Sequence, residues 1–436
     1  MEISKTTTPI FYVSRLFGLA PYQIIRSSKG RIIDYREGRT WFIYTVLVIL
    51  AADILTFYGI YYDITSKIPV RMKTVTSRVV TVVDICIIAG VATSGATGAF
   101  FGMARIRKFN HILRDADDYL TSYTEGIKKR RRGLICLIFI LITISTAIVV
   151  DIIVWMQAAD KLATPDTNTR RNVCHYMTIY ALYYVIMVFH VVFSQSAFGI
   201  ADRFRCMNKV LLTVYPESAL HLTQPIRVIK LPSVRNLSQA VDDLGNKTKN
   251  AATAPITTLT GMTINQMNPI KSAELLERFI DIHSSLGQAV HIMSTVYGFA
   301  ILMSLISCLL HILATAYFLF LEVLDDGNGL FITAQFLWLI VHNARLFMVV
   351  EPCHCIVYEA MRTTKIVCDI QRYCKDPSIR EKLAVFWSQI IVQKSYFTFS
   401  PLGMCKIDRE IITSFYGATA TYLVILIQFQ RSDNMG

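Results

Sequence analysis

The chain has 436 residues, a length that would suit two or three soluble domains, yet 53% of its residues are hydrophobic and only 17% charged. Soluble domains carry about 25% charged residues, and the apolar residues here come in long blocks, so the composition points to a polytopic membrane protein (mean hydropathy +0.44) and argues against soluble domains. The net charge of +13 is read through loop topology and not as nucleic-acid binding, because the basic residues sit in loops beside the spans.

In chain order, residues 1–40 form a cytoplasmic N-terminal segment. Its stretch IFYVSRLFGLAPYQII is broken by Arg15 and Pro21 and lacks a small-residue cleavage site, so it is not a secretory signal. It is expected to lie along the inner membrane surface as an amphipathic segment. Residues 41–199 hold four spans, at 41–62, 79–103, 133–156 and 176–199. The loop 104–132 between the second and third ends in KKRRR, Lys128 to Arg132, which either binds anionic lipid or simply fixes topology. In span two, Gly98 and Gly102 form a small-xxx-small pair, read as a helix contact.

Residues 200–292 form a cytoplasmic loop. Its part at about 225–272 is rich in Ser, Thr, Asn and Ala and is expected to be disordered. Asn236-Leu-Ser and Asn246-Lys-Thr match the glycosylation acceptor pattern but fall on the cytoplasmic face, where they are unusable. Spans five and six follow at 293–321 and 329–350, within 293–350. Residues 351–409 form a cytoplasmic anchor region, in which SIREKLAVFWSQIIVQ places Leu383, Phe386, Ile390 and Ile391 on one helix face. The sequence Cys353-His354-Cys355 has the wrong spacing for a structural zinc site, and no metal or cofactor is called for. Span seven covers 410–429, and 430–436 form a short tail.

Lys and Arg alternate sharply between the two sides. The N-terminal segment holds seven, loop 104–132 nine, loop 200–292 ten and region 351–409 nine; the opposite loops hold four, three and none, and the tail one. Basic loops stay cytoplasmic, so the N-terminus is expected inside and the C-terminus outside. G-protein-coupled receptors have the opposite orientation, and span seven has no Asn-Pro-x-x-Tyr. No inverted repeat and no catalytic constellation supports a transporter or an enzyme.

On the last span, Ser414, Gly417 or Ala418, Thr421, Val424 or Ile425, and Gln428 recur at about 3.5 residues and form a stripe of mostly small and polar groups. Such a stripe either packs closely on another helix or faces an aqueous path. Its end reads TYLVILIQF: Thr421, Tyr422, five hydrophobic residues, Gln428 and Phe429. This resembles the Thr-Tyr, five hydrophobic residues, Gln-Phe signature of insect gustatory receptors. Further stretches are similar to the fructose-sensing branch: IFYVSRLFGLAPY, IPVRMKTVTSRVVTVVD, SCLLHILATAYFLFLEVL, RLFMVVEPCH and ITSFYGATATYLVILIQFQR.

The resemblance implies an all-α membrane protein of seven transmembrane helices with the insect chemoreceptor ion-channel architecture. It also implies a homotetrameric, ligand-gated, poorly selective cation channel whose last helices line the pore. Gln428 and Phe429 would be outer gate positions, Thr421 and Ile425 pore-lining, with Tyr422 packed behind. Cations would permeate, lipid would surround the chain, and D-fructose would be the ligand. A seven-span receptor that signals through a partner without conducting is the alternative.

A sugar site needs aromatic faces and directional polar groups together. In the outer halves of the spans, the candidates are Asp84, Asp151, Trp155, Tyr176, Tyr180, Tyr183, His311, Thr315, Tyr317, Gln335, Trp338 and His342. Gln335 and Trp338 share a helix face and rank first; His342 follows one turn on, and His311 and Thr315 could face them from span five. Trp155 and Tyr176 also suit an interfacial aromatic belt. Arg345 is assigned to pairing inside the inner bundle and not to ligand contact.

Overall fold

A computed structural model describes residues 8–26, 32–66, 75–120, 132–162, 169–215, 269–324 and 328–435. Seven of its helices are long and apolar enough to cross a membrane. They are α2 (Arg39–Thr65), α3 (Val75–Phe101), α5 (Arg132–Leu162), α6 (Thr169–Val214), α7 (Pro269–Leu324), α8 (Gly329–Tyr373) and α10 (Glu410–Met435). Helices satisfy every backbone polar group within one segment, which is why apolar runs of this length take this form. The short elements are α1 (Thr8–Leu16), an antiparallel hairpin of β1 (Tyr22–Arg26) and β2 (Ile32–Glu37), α4 (Met103–Leu120) and α9 (Pro377–Val392).

Helix α6 is the central post. Over its most apolar window 78% of residues are buried inside the chain, against 6% for α10 at the periphery. Helices α2, α3, α5 and α8 pack around α6, and α7 packs on α3 and α8. The contact of α3 with α7 uses the two span-two glycines. A methyl group on Gly98 would sit 2.8 Å from the Val296 carbonyl oxygen on α7, and one on Gly102 would meet the Val296 methyls at 2.7 and 2.9 Å. Only a missing side chain lets the two backbones meet there.

The N-terminal segment is anchored on the bundle: Ile10 and Phe11 of α1 are fully buried, and α1 packs on α5 and α6. Arg15, which interrupts the apolar run in sequence, stacks over Phe11 and Trp41 with its guanidinium carbon 4.6 and 4.3 Å from the ring centroids. The ring faces accept the cation, so the charge does not bar burial of its neighbours.

Loop 104–132 contains the amphipathic helix α4, which buries Ile106, Phe109 and Leu113. Asp117 of α4 pairs with buried Arg203 of α6 at 2.7 Å. Lys128 to Arg131, both glycosylation-like motifs and residues 225–268 of the stretch expected to be disordered lie outside the described residues; its last residues, 269–272, instead open α7. Helix α8 continues well past residue 350, and α9 folds back on it from a cap in which Asp376 accepts from the Ser378 amide at 2.9 Å. Ile379, Leu383, Phe386 and Ile390 form the buried face of α9; Ile391, expected to join them, is 44% exposed. At 100° per residue Ile391 lies off the stripe that the other four define.

Replacing Gly98 by Val is expected to overpack the α3–α7 contact by about 1–3 kcal/mol. The measurement is the unfolding temperature of the purified protein, with Gly329→Val as the control, since a methyl at Gly329 meets nothing within 4 Å. Equal unfolding temperatures in the two variants would contradict the contact.

Candidate functional site

The candidate side chains on α7 and α8 meet in the bundle interior. On α8, Trp338, His342 and Arg345 follow at spacings of four and three and are all buried. On α7, Ser307, His311 and Thr315 follow at spacings of four and are also buried. Each triplet is one helix stripe, and the two stripes face each other. The His311 and His342 rings stack at 4.6 Å with 27° between planes, and Trp338 stacks on His342 at 5.5 Å and 17°. Tyr183 of α6 closes the group, 4.7 Å from Trp338 and 6.1 Å from His311. The result is a four-ring aromatic platform.

Polar atoms run along its edge. His311 Nδ1 lies 2.5 Å from the Ser307 carbonyl oxygen, which can only accept, so Nδ1 carries the proton. His311 Nε2 lies 2.5 Å from Asp84 Oδ1 of α3, an ion-pair approach when the ring is protonated. Among the described residues Nε2 has no hydrogen-bond partner. Asp84 keeps 33% of its side chain exposed, which lowers the cost of its charge.

Arg345 is the main departure from the sequence reading. Its guanidinium joins the candidate site: Nη2 donates to Ser307 Oγ at 2.8 Å, and Nη1 lies 3.4 Å from His342 Nδ1. The side chain is fully buried, its Nε has no hydrogen-bond partner, and no carboxylate lies within 4 Å among the described residues. Ser307 was not a sequence candidate. A serine in an apolar span carries no signal until its neighbour across the helix pair is known.

The remaining candidates divide. Thr315 is buried one turn beyond His311, and Gln335 is half-buried one turn before Trp338. Tyr180 donates to Asp151 Oδ2 at 2.5 Å, so these two form a polar pair beside Tyr183. Trp155 stands apart, packing on a small satellite cluster of Ala159 and Val173. Tyr176 belongs to α6, but its side chain lies outside the described residues.

Helix α10 presents two opposite faces. Its inward stripe is Ile411, Phe415, Thr419, Leu423 and Ile427, at a regular spacing of four, all buried or half-buried. Ser414, Gly417, Thr421, Val424, Ile425 and Gln428 are exposed, and their mean direction is roughly opposite. Among the described residues, the small and polar stripe therefore packs on no other helix of the chain. Thr421 returns its hydroxyl to the Gly417 carbonyl at 3.0 Å. Tyr422 is 55% exposed, so within the chain it does not pack behind the helix. The Phe429 side chain lies outside the described residues.

A central span packed against five of the other six, an aromatic and polar cluster inside, and a peripheral helix with an exposed polar stripe describe a multi-pass membrane protein. The chain belongs to the 7tm chemosensory receptor family, whose model matches residues 7–432. It is similar to the gustatory receptor for sugar taste 43a of Drosophila melanogaster, 37% identical over 99% of this chain and 100% of that one. Its fold is similar to that of the insect olfactory receptor OR5 from Machilis hrabei, with a TM-score of 0.65, 11% identity and 98% of each chain covered. The same receptor in complex with eugenol matches at a TM-score of 0.61 and 13% identity, again over 98% of each chain. The chain is thus a receptor of the insect chemosensory class and not an enzyme.

Ser307→Ala removes the better acceptor of the buried guanidinium and is expected to destabilise the fold by about 1–3 kcal/mol. The unfolding temperature of the purified protein checks this; a value equal to wild type would mean that Arg345 does not depend on Ser307.

Proposed function

We propose that this chain is a sugar-gated, nonselective cation channel that takes D-fructose and serves as a gustatory or internal nutrient receptor in the plasma membrane. The observation that carries the reading is the end-to-end similarity to a sugar taste receptor. The Trp338, His342, His311 and Tyr183 rings offer faces for the C–H surfaces of a sugar. Gln335, Thr315, Asp84 and the Arg345 guanidinium offer donors and acceptors for its hydroxyls. A site whose own polar groups need partners rejects analogues that lack hydroxyls.

The excess of Lys and Arg in alternate loops supports a cytoplasmic N-terminus, a cytoplasmic anchor region at 351–409 and an extracellular C-terminus. The pocket then opens outward. Four copies of the chain assemble as a homotetramer and turn the outward stripe of α10 toward a common axis. Thr421 and Ile425 line that pore, and Gln428 and Phe429 close it at the outer mouth by constriction and dewetting.

The test is electrical. The chain is expressed alone in a cell without other taste receptors, under voltage clamp and with G-protein signalling blocked. A prompt cation current to fructose, larger than to glucose or sucrose, is expected; silence despite confirmed surface protein would overturn the reading. Trp338→Ala is expected to lower fructose sensitivity at least roughly twofold, and up to about tenfold, without loss of surface protein, since an aromatic contact adds about 0.5–1.5 kcal/mol beyond the area it buries. An unchanged dose–response removes Trp338 from the pocket. Gln428→Ala and Phe429→Ala are expected to change basal current or gating, and normal gating in both removes them from the pore mouth.

A further inference from the structure

Helix α10 is tied to the rest of the chain by few polar contacts. Thr413, Ser414 and Thr421 all return their hydroxyls to carbonyls of α10 itself. Among the described residues, one side-chain hydrogen bond leaves the helix: Tyr416 donates its phenol to Asn343 Oδ1 of α8 at 2.5 Å. Asn343 is held for this role, because its amide nitrogen donates to the Leu339 carbonyl at 2.7 Å and so turns Oδ1 toward the phenol. Just before α10 begins, Arg409 forks onto Glu351 of α8, with Nε–Oε2 at 3.0 Å and Nη2–Oε1 at 2.5 Å.

These two contacts are rungs of one antiparallel pair. Glu351 lies eight residues after Asn343, and Arg409 seven before Tyr416, which at 1.5 Å per residue is about 12 and 10.5 Å. The two rungs therefore fit with almost no relative shift of the helices. Asn343 also directly follows His342 and stands two residues before Arg345. The ring stack grips one side of α8, and Asn343 leaves the same turn about 100° around the axis. A rotation or shift of α8 driven from the ring cluster reaches α10 through this turn first.

We propose that the Tyr416–Asn343 hydrogen bond is the coupling contact between the ring cluster and α10, with Arg409–Glu351 as the fixed base about which it works. Tyr416 and Asn343 are thus positioning residues that act on the pore without touching ligand. The proposal rests on the reading of α10 as the pore helix. The bond lies at the bundle flank, where Tyr416 is 43% exposed, so it can break and reform without unpacking a core.

The test separates binding from opening. For wild type, Tyr416→Phe, Asn343→Leu and the double variant, two quantities are measured: the saturating fructose current per surface channel, and the fructose concentration giving half-maximal thermal stabilisation of the purified full-length protein. Each single variant is expected to lose current roughly three- to tenfold, as befits one interhelical hydrogen bond, while the half-stabilising concentration stays within about twofold. The double variant is expected to match the worse single variant, because the contact is already lost. Additive losses, unchanged current in Tyr416→Phe, or a parallel shift in the stabilising concentration would overturn the coupling role. If wild type is neither stabilised by fructose nor opened by it, the sugar reading fails separately. The coupling is then judged on basal current in bilayers: a severalfold difference between Tyr416→Phe and wild type supports it, and equal or absent currents overturn it.

Discussion

A guanidinium buried inside a membrane bundle is the constraint around which the site is organised. An arginine at the centre of a span costs about 2.5–3.5 kcal/mol on the insertion scale, and more when isolated. Arg345 is fully buried and meets Ser307 and His342. The Ser307 contact crosses to α7 and sets its rotation against α8, while the His342 contact stays within α8 and steadies the guanidinium. One turn along α7 the same rotation brings His311 to Asp84 of α3 and under the His342 ring. Three helices are thereby registered by a single burial problem, and Tyr183 of α6 fills the angle between them. The aromatic platform follows from the same register.

The guanidinium also sets the chemistry of the cluster. It is a donor-only group with five N–H bonds, and among the described residues it has two polar neighbours and a buried Nε with no acceptor. His311 has committed Nδ1 to a carbonyl, and Asp84, as a carboxylate, offers acceptors only. Donors and acceptors therefore sit on different helices around one set of rings. A ligand bound there would touch α3, α7 and α8 at once, so that its binding energy falls across helix–helix contacts and not within a single helix. That is the geometry in which a ligand can favour one helix arrangement over another.

Much of this was legible in sequence, and the rest was not, for physical reasons. The seven spans follow from apolar run length alone. Their true ends do not, because a helix continues through charged residues once its neighbours support it, as α8 does to Tyr373. Trp338 and His342 read as one stripe because they lie on one helix. That His311 faces them depends on the register between two helices, which no local period encodes. Arg345 shares its stripe with Trp338 and His342, and its charge alone led the sequence reading to place it elsewhere. Trp155 and Tyr180 carry the same signal, an aromatic near a span end, yet one joins a satellite cluster and the other bonds Asp151. The hairpin of β1 and β2 was not foreseen, since its strands are short and mix apolar with charged residues.

Helix α10 shows what periodicity can say and where it stops. The small and polar stripe was visible in sequence, and two readings of it were open. The direction of that stripe, away from the helices of its own chain among the described residues, leaves it for another copy or an aqueous path, and direction is a tertiary property. Ile411, Phe415, Thr419, Leu423 and Ile427 hold the inner side, so Ser414, Thr421 and Gln428 face away. A helix with only 6% of its apolar window buried has to find its cover outside its own chain, in lipid or in other copies. Lipid suits the apolar part of that exposed surface but not the polar stripe, whose amide and hydroxyls call for water or for protein. The two needs lie on different sides of the same exposed helix, and an arrangement of copies around an axis gives each side its own neighbour.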